Sequence, residues 1–424
     1  MEQAQQIELL RRLRSYAAMR NTASADHVLA NDADYYSSPA LAAREIDEIF
    51  RRVPLIAGLS IDLPENGSYL TADVGGVPVL LVRGQDGAAR AFLNVCRHRG
   101  AQLVAAPCGT ARAFSCPFHA WTYDDQGRLL GVANGASFGD VDRSALGLVE
   151  LPLAEHHGLL WLSLTPGADP TPELGALGSE LENWGLASLA KFEITAFESA
   201  TNWKLALDTF GETYHFAALH RDTLGRVTHS NLNTYDAYGR NHRIIFAART
   251  IDGLNEDDAA NWRLREHVVL TYYIFPNTQI VLAPDGTVSL VRLFPMPGQP
   301  GRTRTLHSTY LPKAPVTPLE QTIARHIADA TTTLLTEEDY AAAESAQRGI
   351  QSGLIDRLHF GRNEVGVQHF HASLRALLGL TPLASVDAER IDADATTPSD
   401  RISPEKRRHK REESHEGMEI GQSR

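Results

Sequence analysis

The chain has 424 residues, 43% of them hydrophobic and 22% charged, the balance of a globular protein long enough for two or three domains. Its formal net charge of −12 argues against a nucleic-acid partner, which selects a basic surface. No segment reaches the roughly 18 apolar residues that a membrane span needs. The opening MEQAQQIELLRRLR reads as an amphipathic helix and not a signal peptide, so a cytoplasmic location is expected. Three cysteines, Cys96, Cys108 and Cys116, are too few for a disulfide framework. In a reducing compartment they point to metal binding or packing.

Residues 1–44 read as a helical segment, with apolar positions at helical spacing in ALAAREIDEIFRR. Residues 45–165 read as a small all-β domain. VPVLLV (77–82), the turn at Asp86-Gly87 and AFLNV form a hairpin signal. AFSC before TYDDQGRLLG forms a second pair, and GLLWLSL (158–164) a further strand. Pro166 to Pro172 is proline-rich and reads as a linker. Residues 166–385 form a second domain: an extended run at 194–200, a helix from Asn202, and four strand-like runs, RIIFAARTI, HVVLTYYIF, TQIVLA and TVSLVRLF. Their spacing suits an antiparallel meander. A helix is expected over Pro315 to Gly349 and another around His371–Leu378. From 386 to 424 the chain is polar, with EKRRHKREE, and disorder is expected.

Two loops of the β domain pair cysteine with histidine, Cys96-x-His98 and, after 17 residues, Cys116-x-x-His119. Two thiolates and two imidazoles suit a [2Fe–2S] cluster with the histidines on one iron. Neutral imidazole in place of thiolate raises the reduction potential. The competing reading is zinc, which also takes Cys₂His₂, although zinc modules usually pair cysteine with cysteine in one loop. Cys108 has no histidine at ligand spacing and reads as a packed thiol.

The segment NWKLALDTFGETYHFAALH (202–220) places two acids and two histidines within thirteen residues, as D-x₃-E-x₂-H-x₄-H. A mononuclear Fe(II) site takes two imidazoles and one carboxylate and keeps open positions; His215 and His220 are the candidate imidazoles. Five residues of ideal helix turn the direction by about 140°, so a helix carrying both ligands must end or unwind between them. Glu212 and His215, at i and i+3, can touch, which lets the carboxylate fix the imidazole through its other nitrogen. Asp208 falls one turn earlier on much the same helical face. The competing reading is a polar helix face with ordinary histidines.

The spacing C-x-H-x₁₇-C-x-x-H followed by AWTYDDQGRL, then NWK and the D-x₃-E-x₂-H-x₄-H pattern, resembles the Rieske non-haem iron oxygenases, terminal (alpha) subunits of the aromatic ring-hydroxylating type, over about residues 40–380. It is less similar to respiratory Rieske proteins, whose loops carry an extra disulfide cysteine each. The resemblance implies an α+β fold: an all-β Rieske domain joined to a helix-grip (START-like) catalytic domain with an antiparallel sheet. It implies a [2Fe–2S] cluster on Cys96, His98, Cys116 and His119, and Fe(II) held by His215, His220 and an acid about two turns before the Gln of Q-x-G. That acid maps onto Asp339, eight residues before Gln347, with Glu337 and Glu338 as competitors that spacing does not exclude. Glu212, where many members have Asp, takes the position that bridges His215 to the cluster histidine His119 of a neighbouring subunit. GRNEVGVQHFH (361–371) is also similar to the family; His359, His369 and His371 read as structural.

The activity implied is hydroxylation, dihydroxylation or oxidative demethylation of a small aromatic or apolar organic substrate with O₂, in aromatic hydrocarbon catabolism. Electrons come from a separate NAD(P)H reductase, directly or through a ferredoxin, since no Gly-rich dinucleotide fingerprint follows a strand. A homotrimer, or a hetero-oligomer with a beta subunit, is implied. Phe210, Phe216, Leu219, Tyr272 and Phe275 are candidates for an apolar pocket or, equally, for core packing. A rival reading is a non-catalytic Rieske electron carrier with a ligand-binding appendage.

Overall fold

The computed structural model describes residues 1–386. All of the tail expected to be disordered except its first residue lies outside the described residues. Helix α1 (Gln3–Met19) buries Leu9, Leu10 and Leu13. The expected helical start is interrupted by a strand, β1 (Leu29–Asp32), which pairs antiparallel with Arg357–Phe360. Four residues of strand are too few to display a period of two. Helix α2 (Pro39–Arg44) is capped by Ser38, whose side chain accepts from the Leu41 amide. It runs into a single π-helical turn, Glu45–Phe50.

Short antiparallel strands follow: β2 (Leu55–Leu59), β3 (Ser68–Val74), β4 (Val77–Arg83), β5 (Ala89–Leu93), β6 (Cys108–Thr110), β7 (Ala113–Ser115), β8 (Thr122–Asp124), β9 (Leu129–Gly131), β10 (Glu150–Leu151), β11 (Leu153–His156) and β12 (Leu159–Leu162), with a short helix α3 (Gly135–Phe138) after β9. They form sheets of order β10-β5-β4-β3-β6, β11-β12-β2 and β7-β8-β9. The β4–β5 hairpin turns at Asp86-Gly87, where Gly87 takes a φ of 82°, a conformation that favours glycine.

After α4 (Ala176–Asn183), the second region is built on a seven-stranded antiparallel sheet. Its strands are β13 (Ala190–Ser199), β14 (Thr228–Tyr238), β15 (Asn241–Ala248), β16 (Val268–Ile274), β17 (Thr278–Leu282), β18 (Val288–Met296) and β19 (Gln299–Leu311), in the order β13-β19-β18-β17-β16-β15-β14. Strands β14 and β19 are additional to the four expected. Their sequences, THSNLNTYDAY and QPGRTRTLHSTYL, are rich in Thr, Asn and Ser and carry little apolar signal. Side chains alternate across the sheet. Ile245, Leu270, Tyr272, Ile280 and Leu290 pack with α1 and α4 on one face. Tyr273, Val291 and Leu293 pack on the other with α5 (Trp203–Asp208) and α8 (Val365–Leu377).

The helix expected over Pro315–Gly349 is two helices, α6 (Pro318–Thr333) and α7 (Tyr340–Gln351), joined by a second π-helical turn, Leu334–Asp339. The helix expected at His371–Leu378 begins earlier, at Val365. Strand β20 (Arg357–Phe360) completes the pair with β1.

Candidate active site

The two cysteine–histidine loops fold alike. In the first, the Cys96 amide donates to the Ala101 carbonyl and the Gly100 amide to the Cys96 carbonyl. In the second, the Cys116 amide donates to Trp121 O and the Ala120 amide to Cys116 O. Both loops turn through positive φ, 72° at Gly100 and 54° at Ala120, so each throws a cysteine inward and a histidine toward the tip. Cys96 and Cys116 are buried and free. The His98 and His119 rings lie 4.7 Å apart, and His98 stacks on Trp121 with an interplanar angle of 5°. The Nδ1 atoms of both histidines are buried without a hydrogen-bond partner. Two orphaned imidazole nitrogens beside two buried thiols fit a Rieske [2Fe–2S] cluster, because each orphan is a ligand atom awaiting a metal. Tyr123 adds a neighbour that sequence reading missed. Its Oη accepts from the Arg97 amide at 3.1 Å, which leaves its hydroxyl proton for Cys96 Sγ at 3.5 Å.

The mononuclear site is assembled from two irregular turns. Helix α5 is capped by Asn202, whose side chain accepts from the Lys204 amide, and ends at Asp208. His215 lies on a separate 3₁₀ turn, Tyr214–Ala217. His220 lies in the loop beyond it. The helix is therefore broken before both histidines, and their ring centroids approach to 4.9 Å. The break also corrects the expected placement of Asp208 on a shared face with Glu212. Asp208 turns away, accepting from His371 Nε2 at 2.8 Å and lying 3.4 Å from the Tyr36 hydroxyl. Its partners are structural, and it does not join the histidines. The loop between passes very close to α8: a Cβ on Gly366 would stand 2.5 Å from Gly211 O, so neither chain tolerates a side chain there.

His215, His220 and Asp339 bring one ligand atom each within 4.8 Å of one another. Asp339 ends the π turn, and its Oδ1 is 3.0 Å from His220 Nε2 and 3.5 Å from His215 Nε2. The opposite ring nitrogens are each held by a glutamate. His215 Nδ1 bonds Glu212 Oε1, and His220 Nδ1 bonds Glu338 Oε2 at 2.5 Å. Glu212 also accepts from the amides of Tyr214 and His215, which caps the 3₁₀ turn. Of the three neighbouring acids, then, Asp339 faces the centre and Glu338 backs a histidine, a division that spacing alone left open. Burial lowers the His215 pKa, but the Asp339 and Glu212 carboxylates outweigh it and raise it to about 9. A metal ion would replace that proton's charge. Two imidazole Nε2 atoms and one carboxylate, with His215 Nε2 buried and unpartnered, fit a mononuclear iron site of the two-histidine, one-carboxylate kind.

Two further ties hold these turns. Gln347 of α7 accepts from the Asn202 amide at 2.8 Å, linking the start of α5 to the helix that follows Asp339. Lys204 and Glu45, both almost fully buried, pair at 2.5 Å, and Trp203 Nε1 donates to the same carboxylate at 2.8 Å. The Asn-Trp-Lys run is thus an anchor to the first π turn.

His215, His220, Glu338 and Asp339 border a cavity of about 940 Å³, lined also by Phe210, Phe216 and Phe246. Leu219, Tyr272 and Phe275 are not in its wall. Tyr272 is buried in the core and donates to Glu180 at 2.5 Å.

A pair of Cys–His loops and a separate iron-type triad, on a β domain and an antiparallel sheet with helices, define a two-centre iron protein. Comparison with known proteins agrees. Residues 54–138 match the Rieske [2Fe-2S] domain, and residues 186–380 match the ring hydroxylating alpha subunit (catalytic domain). The chain belongs to the Rieske oxygenase family, with the catalytic domain of its ring-hydroxylating alpha subunits.

It is 33% identical over 204 residues to the glycine betaine monooxygenase oxygenase subunit of Pseudomonas aeruginosa, covering 47% of each chain. It is 31% identical over 204 residues to the anthranilate 1,2-dioxygenase large subunit of Acinetobacter baylyi, covering 46% of this chain and 43% of that one. The chain spans about half the length of these curated relatives. The carnitine monooxygenase oxygenase subunit of Escherichia coli is matched at 25% identity over 80% of this chain and 91% of its own. Among solved structures, the quaternary ammonium Rieske monooxygenase CntA with L-carnitine superposes with a TM-score of 0.70 at 21% identity, over 83% of this chain and 96% of that chain. Naphthalene 1,2-dioxygenase from Rhodococcus sp. gives 0.68 at 20% identity, over 88% and 98%. These likenesses fix the fold: a Rieske domain joined to a catalytic domain of antiparallel sheet and helices. Among the described residues no helix is long and apolar enough to cross a membrane.

Proposed function

We propose that the chain is the terminal oxygenase component of a multicomponent system. It takes electrons from a separate NAD(P)H reductase, directly or through a ferredoxin, and uses O₂ to hydroxylate or oxidatively demethylate a small organic substrate. The observation that carries this reading is the meeting of His215 Nε2, His220 Nε2 and Asp339 Oδ1 at the wall of a largely apolar cavity. An electron carrier has no use for a carboxylate-completed triad facing a ligand-sized space.

Cys96, His98, Cys116 and His119 would hold the cluster, and His215, His220 and Asp339 the iron. Bound there, the cluster supplies single electrons and the iron supplies oxygen activation. The chain's own residues do the rest. Glu212 and Glu338 hold the two imidazoles in one tautomer and aim their Nε2 atoms inward. The phenylalanines keep water from the reacting space. Glu212, beside His215, takes the bridging role toward His119 of a neighbouring copy, which makes a trimer the favoured assembly. Relatives named for carnitine, glycine betaine and anthranilate support oxidation of small molecules more than a dedicated role in hydrocarbon breakdown. The three free cysteines suit a reducing compartment, so we favour the cytoplasm.

The test is iron content together with coupled turnover. About three irons per chain, two of them in a visibly absorbing cluster, and O₂ uptake with a surrogate reductase that depends on an organic substrate are expected. Two irons and no substrate-dependent uptake would establish the carrier instead.

A further inference from the structure

Phe216 follows His215 directly, is 3% exposed and lines the cavity. Its ring centroid lies 4.9 Å from that of His215 at an interplanar angle of 83°, and 5.3 Å from that of His220 at 71°. Among the described residues no other ring apart from the two imidazoles themselves contacts either of them. Phe246 sits a layer back, its centroid 5.6 Å from that of Phe216.

The ring is also held in place. The Phe216 amide donates to Thr213 O at 3.4 Å. Gly225 packs against the carbonyls of Phe216 and His220, where an added Cβ would stand 3.2 and 2.9 Å away. A group fixed beside a reacting centre meets it as an intramolecular partner, which raises its effective concentration by orders of magnitude.

The rest of the wall competes weakly. Among the described lining residues there is no Met or Cys, and no Tyr or Trp; sulfur side chains are common targets of oxidation. The arenes of the wall are Phe210, Phe216 and Phe246. The catalytic domain matches those of ring-hydroxylating subunits, and an arene is what Phe216 presents to the two imidazoles.

On the reading that His215, His220 and Asp339 hold an oxygen-activating iron, we infer that Phe216 is a self-modification site, converted to a tyrosine side chain when the cavity holds no substrate. One atom of O₂ enters a ring C–H bond and makes it C–OH. The other atom leaves as water, with two protons from solvent and two electrons from the reductase. The ring is oxidised and O₂ is reduced, with the same donors that ordinary turnover uses.

The test is mass spectrometry of the iron-loaded full chain after incubation with NADH, a surrogate reductase and isotopically heavy O₂. No organic substrate is added, and catalase removes free peroxide. The tryptic peptide from Leu205 to Arg221 should gain the mass of one heavy oxygen atom, and fragmentation should place it on Phe216. The same peptide carries an internal control, since Tyr214 is 63% exposed and is the more electron-rich ring. An oxidant diffusing through solvent would mark Tyr214 first. Asp339→Ala, which removes a proposed iron ligand and leaves the Cys–His loops untouched, should abolish the gain. Phe216→Leu should remove it from this peptide.

An unmodified Phe216, label on Tyr214 or Phe210 instead, oxygen drawn from water, or label that survives Asp339→Ala overturns the inference. Iron counted on the same sample separates the two readings. About three irons per chain with Phe216 unmodified overturns self-modification alone, whereas two irons removes the oxygenase reading and this inference with it.

Discussion

Glu338 and Asp339 are adjacent acids with different expected consequences. Asp339 Oδ1 faces both Nε2 atoms, at 3.0 and 3.5 Å. Glu338 Oε2 sits behind His220, 2.5 Å from Nδ1, and also accepts from the Thr223 hydroxyl at 2.7 Å. Removing a ligand takes away a third of the protein's donor set, so Asp339→Ala should leave the mononuclear site empty after purification. Removing an outer carboxylate typically weakens metal binding by about 10- to 100-fold, roughly 1.4 to 2.7 kcal/mol. Glu338→Ala should therefore retain iron at low chelator and lose it at a chelator concentration shifted down by that factor. The assay is iron per chain after dialysis against graded chelator, with cluster absorbance as the internal standard, since neither change touches the Cys–His loops. If Glu338→Ala is as iron-free as Asp339→Ala at every chelator level, or if Asp339→Ala keeps its iron, the assignment of inner and outer acids is wrong.

Glu212→Gln keeps the shape that holds His215 but removes the negative charge, so it should slow single-turnover electron arrival far more than it lowers metal content; unchanged rates would rule out a bridging role. Tyr123→Phe deletes a hydroxyl that donates to Cys96 Sγ. Hydrogen bonds to cluster sulfurs raise the potential, so the midpoint measured by spectroelectrochemistry should fall while the absorption spectrum persists. Buried neutral His307, lowered to about 4, leaves the unfolded chain binding the extra proton between pH 6.5 and 4. Its contribution is fully present above 6.5 and is lost as pH falls, by up to about 3 kcal/mol at the low end. Urea midpoints should drop across that window, and His307→Gln should flatten the drop; a parallel curve would assign the acid lability elsewhere.

The ligand types were legible because cysteine is rare in this chain and because acids and histidines at fixed offsets are an uncommon pattern. Their division of labour was not. Helical periodicity put Asp208 beside Glu212, yet the helix ends at Asp208 and the acid serves His371 and Tyr36 instead. Periodicity also ran one helix through Glu337, Glu338 and Asp339, whereas a π turn ends at Asp339, so regular helical spacing does not describe where the three acids point. Strands β14 and β19 escaped notice because their cross-strand partners, not their own composition, bury them.

These failures share a cause that bears on how the site is held. Both metal-facing elements depart from regular helix, a 3₁₀ turn under His215 and a π turn ending at Asp339, and irregular turns do not stabilise themselves through repeating hydrogen bonds. Something regular must fix their ends. The Asn202–Gln347 bond ties the element before His215 to the helix after Asp339, and the Lys204–Glu45 pair fastens the same element to the first π turn. A buried pair adds little net stability when intact, but breaking it leaves an uncompensated charge at about 3–5 kcal/mol. That exceeds the roughly 1.4 to 2.7 kcal/mol of an outer acid such as Glu338. The Asn-Trp-Lys run therefore guards the geometry of the site through the fold, while Glu212 and Glu338 tune it through the imidazoles. Damage to the first should appear as loss of folded protein, and damage to the second as loss of iron or electrons from a protein that remains folded.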